Sequence, residues 1–241
     1  MANINNKLPL LLLPGLLNDA RLWQQQIADL DDIAQASVAD LTRADSIAAL
    51  ATQALAQAPA GRFALAGLSM GGYVAFEIMR QAPQRVLGLA LLDTTARPDT
   101  EEATAGRHKL MKLAEVNFPA VTGTLLPRVV HPSQLKDKSI VDVITAMADS
   151  LGKKVFLRQQ HAIIGRIDSR PFLSQINCPT LILCGREDVI TPIEVHEEMA
   201  VGIAGSAFTV IGECGHLSTL GQPRQVSKAL RDWLSSLQTP L

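Results

Sequence analysis

The sequence predicts an α/β fold, a mostly parallel sheet of about six strands with helices on both faces, and three observations carry it. Apolar runs of strand length recur without polar alternation, as in Leu8 to Leu13 and Val86 to Leu92, which is how strands buried on both faces read. Each run leads into a stretch with apolar residues at helical spacing. Over residues 94–170 the strand pattern disappears, and it resumes afterwards. The chain is therefore expected to be one domain, residues 1–241, with an inserted helical lid at residues 94–170.

Composition narrows the function. With 241 residues, 47% of them hydrophobic and only 19% charged, the chain can bury a large core as one domain. The net charge is −1 with both signs interspersed, so no footprint for nucleic acid or an anionic membrane is present. Leu8 to Leu13 is too short to span a membrane and lacks the cleavage site of a signal peptide. Cys178, Cys184 and Cys214 are odd in number and have neither CxxC nor metal-ligand spacing. A soluble, cytoplasmic protein without metal is the expectation.

Taken in order, Leu8 to Leu13 is the first strand and stops at Pro14-Gly15. Arg21 to Leu30 reads as a helix with Leu22, Trp23, Ile27 and Leu30 on one face and Asp19 as its N-cap. Ala34 to Ala39 is a short second strand. Asp45 or Ser46 caps an alanine-rich helix that Pro59-Ala60-Gly61 ends. The third strand begins at Phe63, and a helix continues from it through Tyr73 to Arg80. Pro83 stops that helix, and Val86 to Leu92 forms a strand ending at Asp93. Inside the insert, Glu101 to Asn117 and Val141 to Arg166 have helical spacing, with breaks expected at Pro119, Pro127 and Pro132. Thr180 to Cys184 is the fifth strand, Ile193 to Val201 a helix, and Ala207 to Ile211 the last strand. Gln225 to Leu237 closes the chain as an amphipathic helix.

The third strand meets its helix through Gly67-Leu68-Ser69-Met70-Gly71. A serine in this frame, at a sharp strand-to-helix turn, is a candidate nucleophile elbow. Gly67 and Gly71 leave the room the turn requires, and Ser69 Oγ would stand over a helix N-terminus that favours developing negative charge. A serine hydroxyl needs a base, usually a histidine oriented by a carboxylate. Asp188 follows the fifth strand in Gly185-Arg186-Glu187-Asp188, and His216 follows the sixth in Gly215-His216. Asp93, at the end of the fourth strand, competes with Asp188 for the acid role. His108, His131, His161 and His196 lie in the insert or within helices and lack such context.

Over nearly its whole length the chain resembles the lidded α/β-hydrolases, a superfamily of carboxylesterases, enol-lactonases, carbon–carbon bond hydrolases and cofactor-free haloperoxidases. The elbow, Gly185-Arg186-Glu187-Asp188 and Gly215-His216-Leu217-Ser218-Thr219 with Pro223 beyond it carry the resemblance. It implies Ser69 as nucleophile, His216 as base and Asp188 as orienting acid. It also implies an oxyanion hole made by the backbone N–H groups of Leu16 and Met70, and no cofactor. Pro14-Gly15 stands where many relatives have His-Gly, and Gly221 where many carry a glutamate.

The function expected is hydrolysis of a small carboxylic ester or lactone through an acyl-enzyme on Ser69. The alternatives are a carbon–carbon bond hydrolase of ring-cleavage products, and a non-catalytic member of the fold that binds a ligand. Leu217 stands where the carbon–carbon hydrolases tend to have tryptophan, and all three triad residue types are kept, which disfavours both. Arg107, His108, Arg158 and Arg166 are the insert's candidates for the pocket. Arg158 and Arg166 read more readily as solvated helix faces than as partners for a substrate carboxylate.

Overall fold

The computed structural model describes residues 7–238. Six strands form one sheet: β1 (Leu8–Leu13), β2 (Ala34–Val38), β3 (Phe63–Leu68), β4 (Val86–Leu92), β5 (Thr180–Gly185) and β6 (Ala207–Ile211). Their spatial order is β2-β1-β3-β4-β5-β6, and every neighbouring pair is parallel. Parallel neighbours need crossovers, and helices supply them: α1 (Gln24–Leu30), α2 (Ile47–Gln57), α3 (Met70–Gln81) and α7 (Ile193–Gly202). Between β4 and β5 stand α4 (Glu101–Val116), α5 (Phe118–Val129) and α6 (Lys138–Ile164). The short α8 (Ser218–Gly221) and the long α9 (Pro223–Gln238) close the described chain.

The side-chain alternation of each central strand divides the core in two. Leu11, Leu13, Phe63, Leu65, Leu89, Leu91 and Ile182 face one layer with residues of α2, α3 and α7. Leu10, Leu12, Ala64, Ala66, Leu68, Ala90 and Leu92 face the other with residues of α1 and α9. Both faces are apolar, which is why these strands read as unbroken apolar runs. Of the predicted α9 stripe, Val226, Leu230, Trp233 and Leu234 are buried, and Trp233 Nε1 donates to Pro179 O at 3.2 Å.

Two expectations change in detail, and the choice of cap for α2 is resolved. The predicted helix from Arg21 opens as a 3-10 turn over Ala20–Trp23, with Leu22 N–H donating to Asp19 O at 3.0 Å, while Asp19 caps it as expected, its Oδ1 accepting from Arg21 N–H. Ser46, rather than Asp45, caps α2, its Oγ accepting from Ala49 N–H at 3.3 Å. Pro119 and Pro127 lie inside α5 instead of breaking it. Pro119 falls in the first turn, where its missing N–H has no intrahelical acceptor, and Pro127 falls in the last. The interruption comes at Gly152 in α6, with φ 73° and ψ 176°, a conformation only glycine adopts readily.

Candidate active site

Ser69 caps α3 with φ 55° and ψ −114°, a left-handed turn that side chains rarely adopt. Its neighbours hold it there. Ser69 N–H donates to Leu92 O at 3.0 Å, and Ser69 O accepts from Gly72 N–H and from Thr94 Oγ1, both at 2.8 Å. The two elbow glycines are required by space: a Cβ at Gly67 would lie 2.3 Å from Gly71 O, and one at Gly71 would lie 2.2 Å from Leu13 O. Every residue from Met70 to Phe76 is buried, so the elbow has no freedom to relax.

Asp188 and His216 reach Ser69 because the loops after β5 and β6 are tied together. Arg186 N–H donates to Ile211 O at 2.8 Å and Glu187 N–H to Cys214 O at 2.9 Å, while Glu187 Oε2 accepts from Cys214 N–H at 2.9 Å. His216 Nε2 then lies 2.8 Å from Ser69 Oγ, and His216 Nδ1 lies 2.8 Å from Asp188 Oδ2. A carboxylate can only accept, so Nδ1 carries the proton and Nε2 is left to receive the serine hydrogen. Asp188 is itself fixed: Oδ1 accepts from Ile190 N–H and Thr191 N–H, and Oδ2 from Thr191 Oγ1 at 2.6 Å.

Burial opposes the charge on Asp188, but facing His216 and the bonds from His216 and Thr191 outweigh it and hold the carboxyl below its ordinary value. Burial likewise opposes a charged His216, yet the charge and hydrogen bond of Asp188 prevail and raise the imidazole above the ordinary histidine value. Asp93 makes no bond to His216. Its Oδ1 accepts from Gly185 N–H at 2.9 Å and its Oδ2 from the Ser218 hydroxyl and N–H. Burial first, then repulsion from Asp188, raise it to about 7. Asp93 thus links the end of β5 to the loop that carries His216.

The loop after β1 lies against the elbow, since a Cβ at Gly15 would come within 3.4 Å of Ser69 Cβ. Neither Leu16 N–H nor Met70 N–H finds an acceptor among the described residues. The next amide is held from the insert: Leu17 N–H donates to Gln159 Oε1 at 2.9 Å, and Gln159 Nε2 donates to Leu41 O at 3.1 Å. Sequence reasoning missed Gln159 and its neighbour Gln160, both fully buried. The signal was present: two glutamines sit between Phe156 and Ile163, in the stripe α6 buries.

Ser69 and His216 open on a cavity of about 690 Å³ walled by the elbow, the β1 loop and α4, α5 and α6. His108, His131, His161 and His196 do not line it. His196 is structural, its Nε2 accepting the Thr94 N–H at 3.0 Å. Arg158 also lies outside the lining, donating to Thr42 O at 2.9 Å. Arg166 departs from the solvated reading: it lines the cavity with its side chain 7% exposed, 2.5 Å from Asp99. Among the described residues there is no cluster of His, Cys, Asp and Glu able to hold a metal ion, and no helix long and apolar enough to cross a membrane.

The thioesterase-domain family profile matches residues 19–234. The chain belongs to the thioesterase-domain family. It has the α/β-hydrolase fold, and an esterase from Thermogutta terrifontis superposes with a TM-score of 0.88 at 32% identity, covering 97% of this chain and 92% of that one. The enol-lactonase of Burkholderia xenovorans LB400 shares the fold, with a TM-score of 0.86 at 22% identity, over 97% of this thioesterase-family chain and 94% of its own. The biotin biosynthesis bifunctional protein BioHC of Cellvibrio japonicus is 24% identical over 95% of this chain but only 48% of its own length. The chain thus spans about half of that relative.

Proposed function

We propose that this family member is a cofactor-independent serine hydrolase that cleaves a small carboxylic ester or lactone through an acyl-enzyme on Ser69. The observation that carries the reading is the unbroken chain Ser69 Oγ, His216, Asp188, with both links at 2.8 Å, opening on a cavity. At about 690 Å³ the cavity has the size of a small-molecule site.

In this reading His216 Nε2 takes the Ser69 proton as Oγ attacks the substrate carbonyl. Asp188 stabilises the imidazolium that forms. The oxyanion is received by the free N–H groups of Leu16 and Met70, at the positive end of α3, where fixed donors need no reorganisation. His216 then returns the proton to the departing alcohol. Water repeats the sequence on the acyl-enzyme, releases the acid and restores Ser69. Helices α4 to α6 act as the lid and exclude bulk water from these steps. The esterase and enol-lactonase named above support an acyl substrate for this chain. The free thiols of Cys178, Cys184 and Cys214 support a reducing, cytoplasmic compartment.

A panel of p-nitrophenyl esters, lactones and vinylogous diketones tests the reading. Turnover of short esters or lactones is expected, with the diketones untouched. Turnover confined to the diketones would move the chemistry to carbon–carbon cleavage.

A further inference from the structure

The cavity wall formed by the insert carries charge that the triad chemistry does not use. Asp99, its side chain 3% exposed, lies between two guanidinium groups. Arg107 Nε donates to Asp99 Oδ2 at 2.6 Å, and an Arg166 terminal nitrogen donates to Asp99 Oδ1 at 2.5 Å. Two cations therefore share one carboxylate, and one positive charge in this wall is unmatched. The excess is local, because five cationic side chains line the cavity against two carboxylates, Asp99 and Glu102, in a chain whose net charge is −1. Of the five, Arg97 is engaged by Glu198 at 2.8 Å.

A second observation points to a ligand at the same place. Gln160 lines the cavity and is fully buried, with its Oε1 accepting from a terminal nitrogen of Arg107 at 3.1 Å. That bond fixes which way the amide faces, and its Nε2 is left without an acceptor among the described residues. Buried donors are almost always paired, so an unpaired one beside an unmatched guanidinium marks where an acceptor is missing. This wall packs on the helix that Ser69 caps. The Arg166 guanidinium stands 4.4 Å from the centre of the Tyr73 ring, and Tyr73 lies one turn beyond Ser69.

We propose that Gln160, Arg107 and Arg166 form a subsite for an ionised carboxylate, so that the preferred substrate is an ester or lactone bearing a second, free carboxylate. This rests on the hydrolase reading above and adds the substrate class. Ser69, Arg107, Gln160 and Arg166 line the same cavity, so the proposal takes a short spacer, on the order of three carbons, between the carboxylate and the scissile ester. The guanidinium groups supply charge and planar paired donors, and Gln160 supplies the neutral donor.

Matched esters differing only in the charge test it in the wild-type enzyme. Monomethyl glutarate against methyl valerate places the carboxylate on the acyl side; γ-acetoxybutyrate against butyl acetate places it on the alcohol side. In at least one pair the charged ester should have a kcat/KM about tenfold higher or more. Gln160→Glu and Arg107→Met, with folding checked by circular dichroism, should each lower that ratio about tenfold. Ratios that do not exceed one in either pair would overturn the subsite, as would a ratio that neither folded variant lowers. Failure to turn over any ester, charged or neutral, would instead overturn the hydrolase reading on which it rests.

Discussion

Ser69→Ala is expected to lower kcat on the order of a million-fold while the protein remains folded, because members of a serine triad act as a unit. The substitution removes only Oγ. The backbone bonds that hold the elbow, Ser69 N–H to Leu92 O and Gly72 N–H to Ser69 O, are untouched. Alanine meets the same positive φ of 55° as serine, so the turn is no more strained than before. Steady-state rates on p-nitrophenyl butyrate, with a thermal melt alongside, measure both halves. Wild-type-like turnover, with contaminating esterase excluded, would sink the serine mechanism.

The second large effect separates two carboxylates. Asp188→Asn is expected to cost about 10⁴ in kcat, since an amide at that place can leave the imidazole in the wrong tautomer with the geometry intact. Asp188 Oδ2 is the atom 2.8 Å from His216 Nδ1, and no other carboxylate touches that nitrogen. Asp93→Asn is expected to cost less than about tenfold. Its carbonyl oxygen can still accept from Gly185 N–H and the Ser218 hydroxyl can turn to accept from the new amide, so only the long 3.3 Å bond from Ser218 N–H is lost. Parallel kinetics on both variants, with circular dichroism to confirm folding, read the difference. The reverse pattern would transfer the acid role to Asp93, and equal large losses would show that the two act as one network.

The parts of this molecule legible in the sequence were those whose cause is local. The central strands are buried on both faces, so Leu8–Leu13, Phe63–Leu68 and Val86–Leu92 announce themselves as apolar runs. A Cβ at Gly67 would strike the backbone of Gly71, a constraint fixed within five residues, whereas the one at Gly71 comes from Leu13 on β1 and is legible only through the Gly-x-Ser-x-Gly frame. The order Ser69, Asp188, His216 could be placed because each follows a strand, and parallel strands present their C-terminal ends at one edge. What escaped was pairing between distant segments. Arg166 looked solvated by its helix position, and only the fold brings Asp99, 67 residues earlier, against it. Gln159 reaches Leu17 across 142 residues. The roles of Asp93 and Ser218 depend in the same way on the β6 loop folding back over β4.

The most direct measurement of the central claim is covalent labelling by a fluorophosphonate, followed by intact mass and peptide mapping across a pH series. One adduct per chain is expected, on the peptide carrying Ser69. Its rate should fall as the pH drops through the raised pKa of His216, because an imidazolium cannot take the serine proton. No adduct in the folded protein, or an adduct on any residue other than Ser69, would contradict it.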